Sequence, residues 1–252
     1  ASVSVLLVLA GGALWWLSGQ GNVPAAATVA APAASSVARV VTPVSEIKQR
    51  MATVSDSRSA AWAQLLARWQ VRSDETSVAQ AALCPASIFR GFDCLSGSGT
   101  LDQVKRFDRP LILELESAKQ ATPQRALLLG VGDTTVRLSY AGTIYDIARR
   151  ELDQLWPGHF VVAFRLPADV PQTLQLGDAG PGVAWVSEQL ATLDGGDAAH
   201  VGPAYYDAKL QERVRKLQRG FGIRADGIVG PETLFALVSL GASGPHLARD
   251  VP

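Results

Sequence analysis

The stretch RVRKLQRGFGIRADGIVGPETLFAL, residues 213–237, carries two helical patterns joined by a glycine-rich turn. Leu210, Val214, Leu217 and Phe221 recur at i, i+4, i+7 and i+11, the stripe of an amphipathic helix with one buried side. Gly222 follows as a helix stop, and Asp226-Gly227 is a turn signal. Gly230 is placed to cap a further helix that has Pro231 in its first position and Glu232 in its first turn. Leu234, Leu237, Val238 and Leu240 form the buried side of that helix. Upstream, Val183, Val186, Leu190 and Leu193 mark one more. Three short helices around one small core, residues 177–245, make a unit of roughly seventy residues, near the lower limit for folding alone.

Working towards the N-terminus, a proline- and glycine-rich stretch, LPADVPQTLQLGDAGPG (166–182), separates this unit from a region of different periodicity. Ala61, Trp62, Leu65, Leu66 and Trp69 predict an amphipathic helix over 58–70. Thr100 and Gln103 form a capping-box pattern ahead of a helix carrying Leu101, Val104 and Phe107. LILELES (111–117), ALLLGVG (126–132) and TTVRLSY (134–140) read as strands, the last two joined by a hairpin at Gly132-Asp133. A short helix around 148–155, then Trp156-Pro157-Gly158, precedes a closing strand, HFVVAFR (159–165). Helices first and a mostly antiparallel sheet after them predict an α+β domain over 45–168.

No Lys, Arg, Asp or Glu occurs before Arg39. SVSVLLVLAGGALWWL (2–17) is an uncharged apolar run spanning roughly 24 Å as a helix, short of the ~30 Å hydrocarbon core, so it is expected to be the latter part of a longer membrane segment. Trp15 and Trp16 close it where an interfacial aromatic belt would sit, and the absence of basic residues after it points that end away from the cytoplasm. A cleaved signal peptide is the competing reading, with AAATVAA as the small-residue site, but no basic n-region precedes the run. We therefore read a membrane anchor over 1–18 and an Ala/Pro-rich linker over 19–44, which has no amphipathic period to bury.

The 23 basic and 23 acidic residues balance, so no global field recruits nucleic acid or acidic lipid. His159, His200 and His246 are the only histidines and lie far apart, with no paired metal-ligand spacing, and no Walker-type loop is present, so no metal or cofactor is expected. Cys84 and Cys94 would close a disulfide loop in an oxidising compartment and stay free thiols in the cytosol.

The middle region resembles the C39 peptidase family, which has a papain-like fold, through Cys84-Pro85, Gly91-Phe92-Asp93-Cys94, Arg109-Pro110-Leu111-Ile112-Leu113-Glu114-Leu115 and Leu155-Trp156-Pro157-Gly158-His159-Phe160. The family's general base aligns with Gln124 and Arg125, and its orienting carboxylate with Ser139 and Tyr140. The nucleophile belongs on the helix around 60–69, which has no cysteine. The resemblance therefore implies a pseudo-peptidase, because neither Gln nor Arg accepts a proton near pH 7. The rival reading is a cysteine peptidase or cell-wall hydrolase using Cys84, at a helix start before Pro85, with His159 as base.

The C-terminal pattern Val214-x-x-Leu217-Gln218 with Asp226-Gly227-Ile228-Val229-Gly230-Pro231-Glu232-Thr233 resembles peptidoglycan-binding domains of the PG_binding_1 type, with a longer insertion at 195–209. Tyr205, Tyr206, Arg213, Gln218, Arg219 and Arg224 are the candidate ligand contacts, since glycan–peptide strands offer hydroxyls, amides and carboxylates. Asp226, Gly227, Gly230 and Thr233 are assigned structural roles. Arg213, Arg215, Lys216 and Arg219 equally fit a solvated helix face.

The combination resembles the periplasmic part of the general secretion pathway protein A family of type II secretion. That resemblance implies inner-membrane anchoring, periplasmic domains and a cytoplasmic ATPase domain ahead of the membrane segment. It also implies peptidoglycan and the pathway's B protein as partners, homo-oligomerisation, and a non-enzymatic role in assembling the outer-membrane secretin through the cell wall.

Overall fold

The structure, a computed structural model, describes residues 41–117, 120–193 and 204–251, with the side chains of Ser117, Gln120 and Ala121 left out. The expected anchor at 1–18, nearly all of the 19–44 linker, His200 and residues 195–203 of the insertion lie outside the described residues. Among those described, no helix is long and apolar enough to cross a membrane.

Seven antiparallel strands form one sheet in the order β1-β2-β7-β3-β4-β5-β6. They are β1 (Ser87–Phe89), β2 (Phe92–Ser98), β3 (Leu111–Ser117), β4 (Gln120–Val131), β5 (Thr135–Tyr140), β6 (Thr143–Ala148) and β7 (His159–Arg165). Before and among them lie α1 (Val44–Thr53), α2 (Ser57–Arg68), α3 (Val78–Ala81), α4 (Leu101–Phe107) and α5 (Arg149–Leu152). The expected helix at 148–155 is thus a single turn, followed by the buried Leu155 and Trp156. α2 lays Ala61, Trp62, Leu65 and Leu66 into the core, in contact with β3, β4 and β5. Its N-terminus is capped by Asp56, whose carboxylate accepts from the Ser59 amide and is held below its usual pKa by that bond.

The helical unit comprises α6 (Pro181–Leu193), α7 (Ala208–Phe221) and α8 (Pro231–Leu240). Leu193 is half-exposed, and Phe221 is only partly buried, so the ends of both predicted stripes leave this unit's interior. Phe221 instead stacks on Phe107 of α4, centroids 5.3 Å apart. Phe235 of α8 packs on Phe107 at 4.6 Å and on Phe164 of β7 at 5.2 Å. Four phenylalanines thus join the two units into one core, where the sequence reads two modules and a linker. The 166–182 stretch is pinned as well: Leu174 is buried and exchanges backbone hydrogen bonds with Val229. Thr100 caps α4 as expected, but Gln103 does not complete the capping box. Its amide donates to the Gly222 carbonyl at the end of α7, a partner from the other unit.

The seam is closed by Arg109, a fully buried guanidinium. Its Nη1 donates to the carbonyls of Ser243 (2.8 Å) and Pro245 (3.2 Å), and its Nη2 to those of Val238 (3.0 Å) and Gly241. These carbonyls lie at and beyond the C-terminal end of α8, where the helix dipole favours a cation; that of Val238 also accepts the Gly241 amide. Burial pulls the Arg109 pKa down and neighbouring Asp108 opposes it. Beyond this point the chain runs back along the sheet: Ala248 donates to the Leu129 carbonyl (2.7 Å) and Asp250 lies 3.6 Å from Arg137. Gly244 adopts φ +91°, and a Cβ there would stand 2.5 Å from the Trp69 ring, so a side chain at this position would push the tail off α2.

Replacing Arg109 with methionine leaves four carbonyls short of a charged donor. We expect a loss of about 3 kcal/mol and a fall in Tm on the order of 10 °C. R109K should recover little of it, because an ammonium cannot span the four acceptors as the planar fork does. Thermal unfolding with amide exchange at Ala248 checks this; wild-type behaviour of R109K would show that charge alone suffices.

Candidate functional site

The loop between α7 and α8 is built around one buried side chain. Gln218 places its amide nitrogen 3.0 Å from Asp226 Oδ1, 2.9 Å from the Ile228 carbonyl and 3.1 Å from Thr233 Oγ1. Its Oε1 accepts from the Gly227 amide at 2.9 Å. Asp226 Oδ1 also accepts from the Ile228 amide at 2.9 Å, and this backbone bond is the first cause holding the Asp226 pKa below its usual value. Tyr206, fully buried, donates to the Gly227 carbonyl at 2.9 Å, and burial drives its phenol pKa upward. Gly227 has φ +76°, and a Cβ there would lie 2.6 Å from Gln211. Gly230 caps α8 and Pro231 opens it. The motif is thus a self-bonded turn, and Gln218 and Tyr206 are framework rather than exposed contacts.

Beside this turn lies a cavity of about 240 Å³ lined by Ile223, Arg224, Asp226, Ile228, Pro231 and Glu232, with the Gln218 and Thr233 side chains at its base. Arg224 is largely exposed, 3.9 Å from the Asp226 carboxylate. The first turn of α8 has no side-chain cap, so its amides add donor character to the rim. The other candidates do not converge here. Tyr205 is half-exposed and bridges to Ala179, and Arg219 is held by Glu212 at 2.8 Å. Arg213 lines a separate apolar cavity of about 490 Å³ with Leu190, Leu193, Leu217, Phe221 and Leu240. Ile228, Pro231 and Glu232 were not singled out from sequence as contacts, although an exposed isoleucine inside a turn motif is a usable signal.

The sheet unit holds a second constellation. Ser57, the first residue of α2, donates to Gln124 Oε1 at 2.8 Å, and Tyr140 donates to the same oxygen at 2.9 Å. Ser57 Oγ accepts from the Arg125 amide at 2.9 Å. All three side chains are buried, and burial raises the Tyr140 pKa. Arg125 pairs instead with Glu114. The cluster unites α2 with the strand positions that the peptidase resemblance assigns to base and orienter, but an amide oxygen occupies its centre. Ser57 was not picked out from sequence; its place at a capped helix start was the available clue.

Cys84 and Cys94 are joined by a disulfide, Cα atoms 5.3 Å apart. Cys84 has φ 49° and the chain enters β1 after it, so the helix start expected at Cys84-Pro85 does not form. The β2–β7 register pairs Cys94 with Ala163 and Ser98 with His159, four residues further along, roughly 13 Å. His159 is exposed at the start of β7, away from the sulfurs.

Comparison with known proteins agrees with this geometry. Residues 179–237 match the domain family described as "Putative peptidoglycan binding domain". This chain resembles general secretion pathway protein A. It is 21% identical over 175 residues to the Escherichia coli (strain K12) "Putative general secretion pathway protein A", covering 68% of this chain and 34% of that protein. It is 23% identical over 167 residues to general secretion pathway protein A of Aeromonas hydrophila, covering 66% of this chain and 30% of that one. The chain therefore spans about a third of the length of these curated relatives. The crystal structure of a periplasmic domain of the EpsAB fusion protein from the Vibrio vulnificus type II secretion system shares the fold. Its TM-score is 0.51 at 22% identity, over 73% of this chain and 79% of that one.

The Asp226 turn has a pH signature. Its folded pKa is depressed, so its contribution is present above the unfolded carboxylate value near 4 and is lost as pH falls through the folded value. Stability of the α7–α8 loop should decline below about pH 4. D226N, which keeps the Oδ1 acceptor without the charge, should flatten that decline. Amide exchange at Gly227 and Ile228 between pH 2 and 6 reads it directly; an unchanged acid slope in D226N would assign the decline to other carboxylates.

Proposed function

We propose that this chain is the periplasmic part of a type II secretion component that binds peptidoglycan without cutting it. The observation that carries the reading is the self-bonded Asp226–Thr233 turn, open on one side to a polar-rimmed cavity, within the residues that match the peptidoglycan-binding family. A rigid turn beside an exposed guanidinium, an exposed carboxylate and a helix N-terminus offers fixed donors and acceptors to amides and carboxylates of the wall polymer. The Cys84–Cys94 disulfide favours an oxidising compartment, in keeping with the periplasm.

The sheet unit serves as a papain-like pseudo-peptidase scaffold. Its Ser57–Gln124–Tyr140 cluster is shut from solvent and has no group that takes a proton near pH 7. The names of the relatives support a place in general secretion, and the EpsAB fusion of the solved relative supports a B protein as partner. With an inner-membrane anchor ahead of it, the wall-bound chain would hold that partner where the outer-membrane secretin has to pass the wall.

Sedimentation with purified peptidoglycan sacculi tests the binding step. The purified chain should pellet with sacculi and release no soluble muropeptides, whereas R224A/E232A should remain largely in the supernatant with an unchanged Tm. Because α7 and α8 share a core with the sheet unit, surface substitutions serve better than truncation. Retention of the double variant would move the wall contact off this cavity. Muropeptide release that C84S abolishes would replace the binding factor with a hydrolase.

A further inference from the structure

Where the two units meet, a cleft of about 390 Å³ opens between the end of α2, the end of β7 and the tail that Arg109 holds. Arg68, Trp69, Arg165, Val238, Gly244 and Pro245 are among its walls. Two of these are guanidiniums, both exposed, and no Asp or Glu lines the cleft. Among the described residues neither arginine has a carboxylate partner. Arg68 has no bonded neighbour, and Arg165 reaches only the Trp69 carbonyl at 3.4 Å and the face of Phe92, 5.6 Å from the ring centroid. Arg72, Arg90, Arg125, Arg137, Arg149 and Arg219 each pair with an acid, whereas Arg58, Arg106 and Arg109 reach main-chain carbonyls. The buried indole N–H of Trp69 has no acceptor among the described residues either. Gly244 keeps the tail flat against the Trp69 ring, and the third guanidinium, Arg109, lies directly behind it.

We infer that this seam cleft binds the carboxylate end of a short peptide, and, resting on the wall-binding reading, that the peptide is a stem of peptidoglycan. The chemistry selects an anion: two unpaired guanidiniums provide forked donors matched to a carboxylate. The apolar walls of Trp69, Val238 and Pro245 suit a peptide's aliphatic side chains better than a bare inorganic ion. The volume lies within the range of ligand pockets. α8 runs from the motif turn at Gly230 to the cleft at Val238, so both ends of one helix would meet the wall: glycan or peptide amides at one, a stem carboxylate at the other.

Calorimetric titration of the full chain with a synthetic stem pentapeptide ending in a free carboxylate, and with its C-terminal amide, tests this. The acid should bind about tenfold more tightly than the amide, and R68Q and R165Q should each weaken the acid about tenfold, one charge-assisted contact apiece. Neither substitution should weaken the amide further. R68Q alters an exposed side chain with no bonded neighbour among the described residues, so it guards against loss of folding in R165Q. Equal binding of acid and amide, or an acid affinity unmoved by either substitution, would overturn the cleft assignment. If sacculi still pellet the chain in that case, the wall-binding reading stands without it. If instead sacculi fail to retain the chain while a triaspartate peptide binds through Arg68 and Arg165, the stem assignment falls and the cleft belongs to an acidic protein segment.

Discussion

The fully buried cation Arg109 sets the relation between the two halves of this molecule. Among the described residues its guanidinium has no carboxylate in contact; four main-chain carbonyls around the end of α8 hold it instead. Such a group is costly to bury unless its donors are answered, and carbonyls at a helix C-terminus are the acceptors most in need of a cation. Once α8 is fixed against the sheet in this way, Phe235 must lie on Phe107 and Phe164, and the tail must turn back to pair with Leu129. His246 joins the same cluster, its Nδ1 2.9 Å from Asp108, itself in a left-handed conformation that stops α4.

This arrangement changes what a small three-helix unit has to do. At its size it would be marginal alone, but it borrows apolar surface from α4, β2 and β7. Gln103 illustrates the exchange: its side chain leaves the capping of its own helix start to Thr100 and instead reaches the Gly222 carbonyl at the end of α7. A ligand held at the α7–α8 turn is thereby attached to the sheet unit through packed aromatic rings rather than through a loose linker.

Much of the fold was legible because its strongest patterns are local. LILELES and HFVVAFR are β-rich runs without breakers, and both strands match the residues expected. β2 escaped notice because FDCLSGS contains two serines and a glycine; its place in the sheet comes from pairing along its whole length with β7. The seam was not legible, since Phe107, Phe221 and Phe235 each fit a helix stripe without declaring which neighbour the stripe meets. Among the site residues, Gln218 and Tyr206 are expected as contacts by residue type, and the structure buries both in the framework of the turn. Position is a guide for Gln218, which lies four residues after Val214 on the stripe that faces inward, whereas Tyr206 precedes the Asp207 cap of α7, outside any helical period. A long-range tie such as Arg109 to residues 238–245 leaves no periodic trace, and only its presence in a recognisable Arg-Pro-Leu run hinted at importance.

The polar groups of the molecule divide into two populations, and the division bears on what it does. Two interior networks are mutually satisfied: Ser57, Gln124 and Tyr140 share one oxygen, and Gln218 binds the whole motif turn. Networks of this kind specify a unique core but cannot perform proton transfer on a substrate they never meet. The groups left open to a ligand are instead exposed guanidiniums, a few carboxylates and the first turn of α8, all on rigid supports at the surface. Groups of that type recognise charge and hydrogen-bonding pattern. The sheet carries a disulfide at one edge and a closed amide cluster within, and under the proposed reading what it contributes is position.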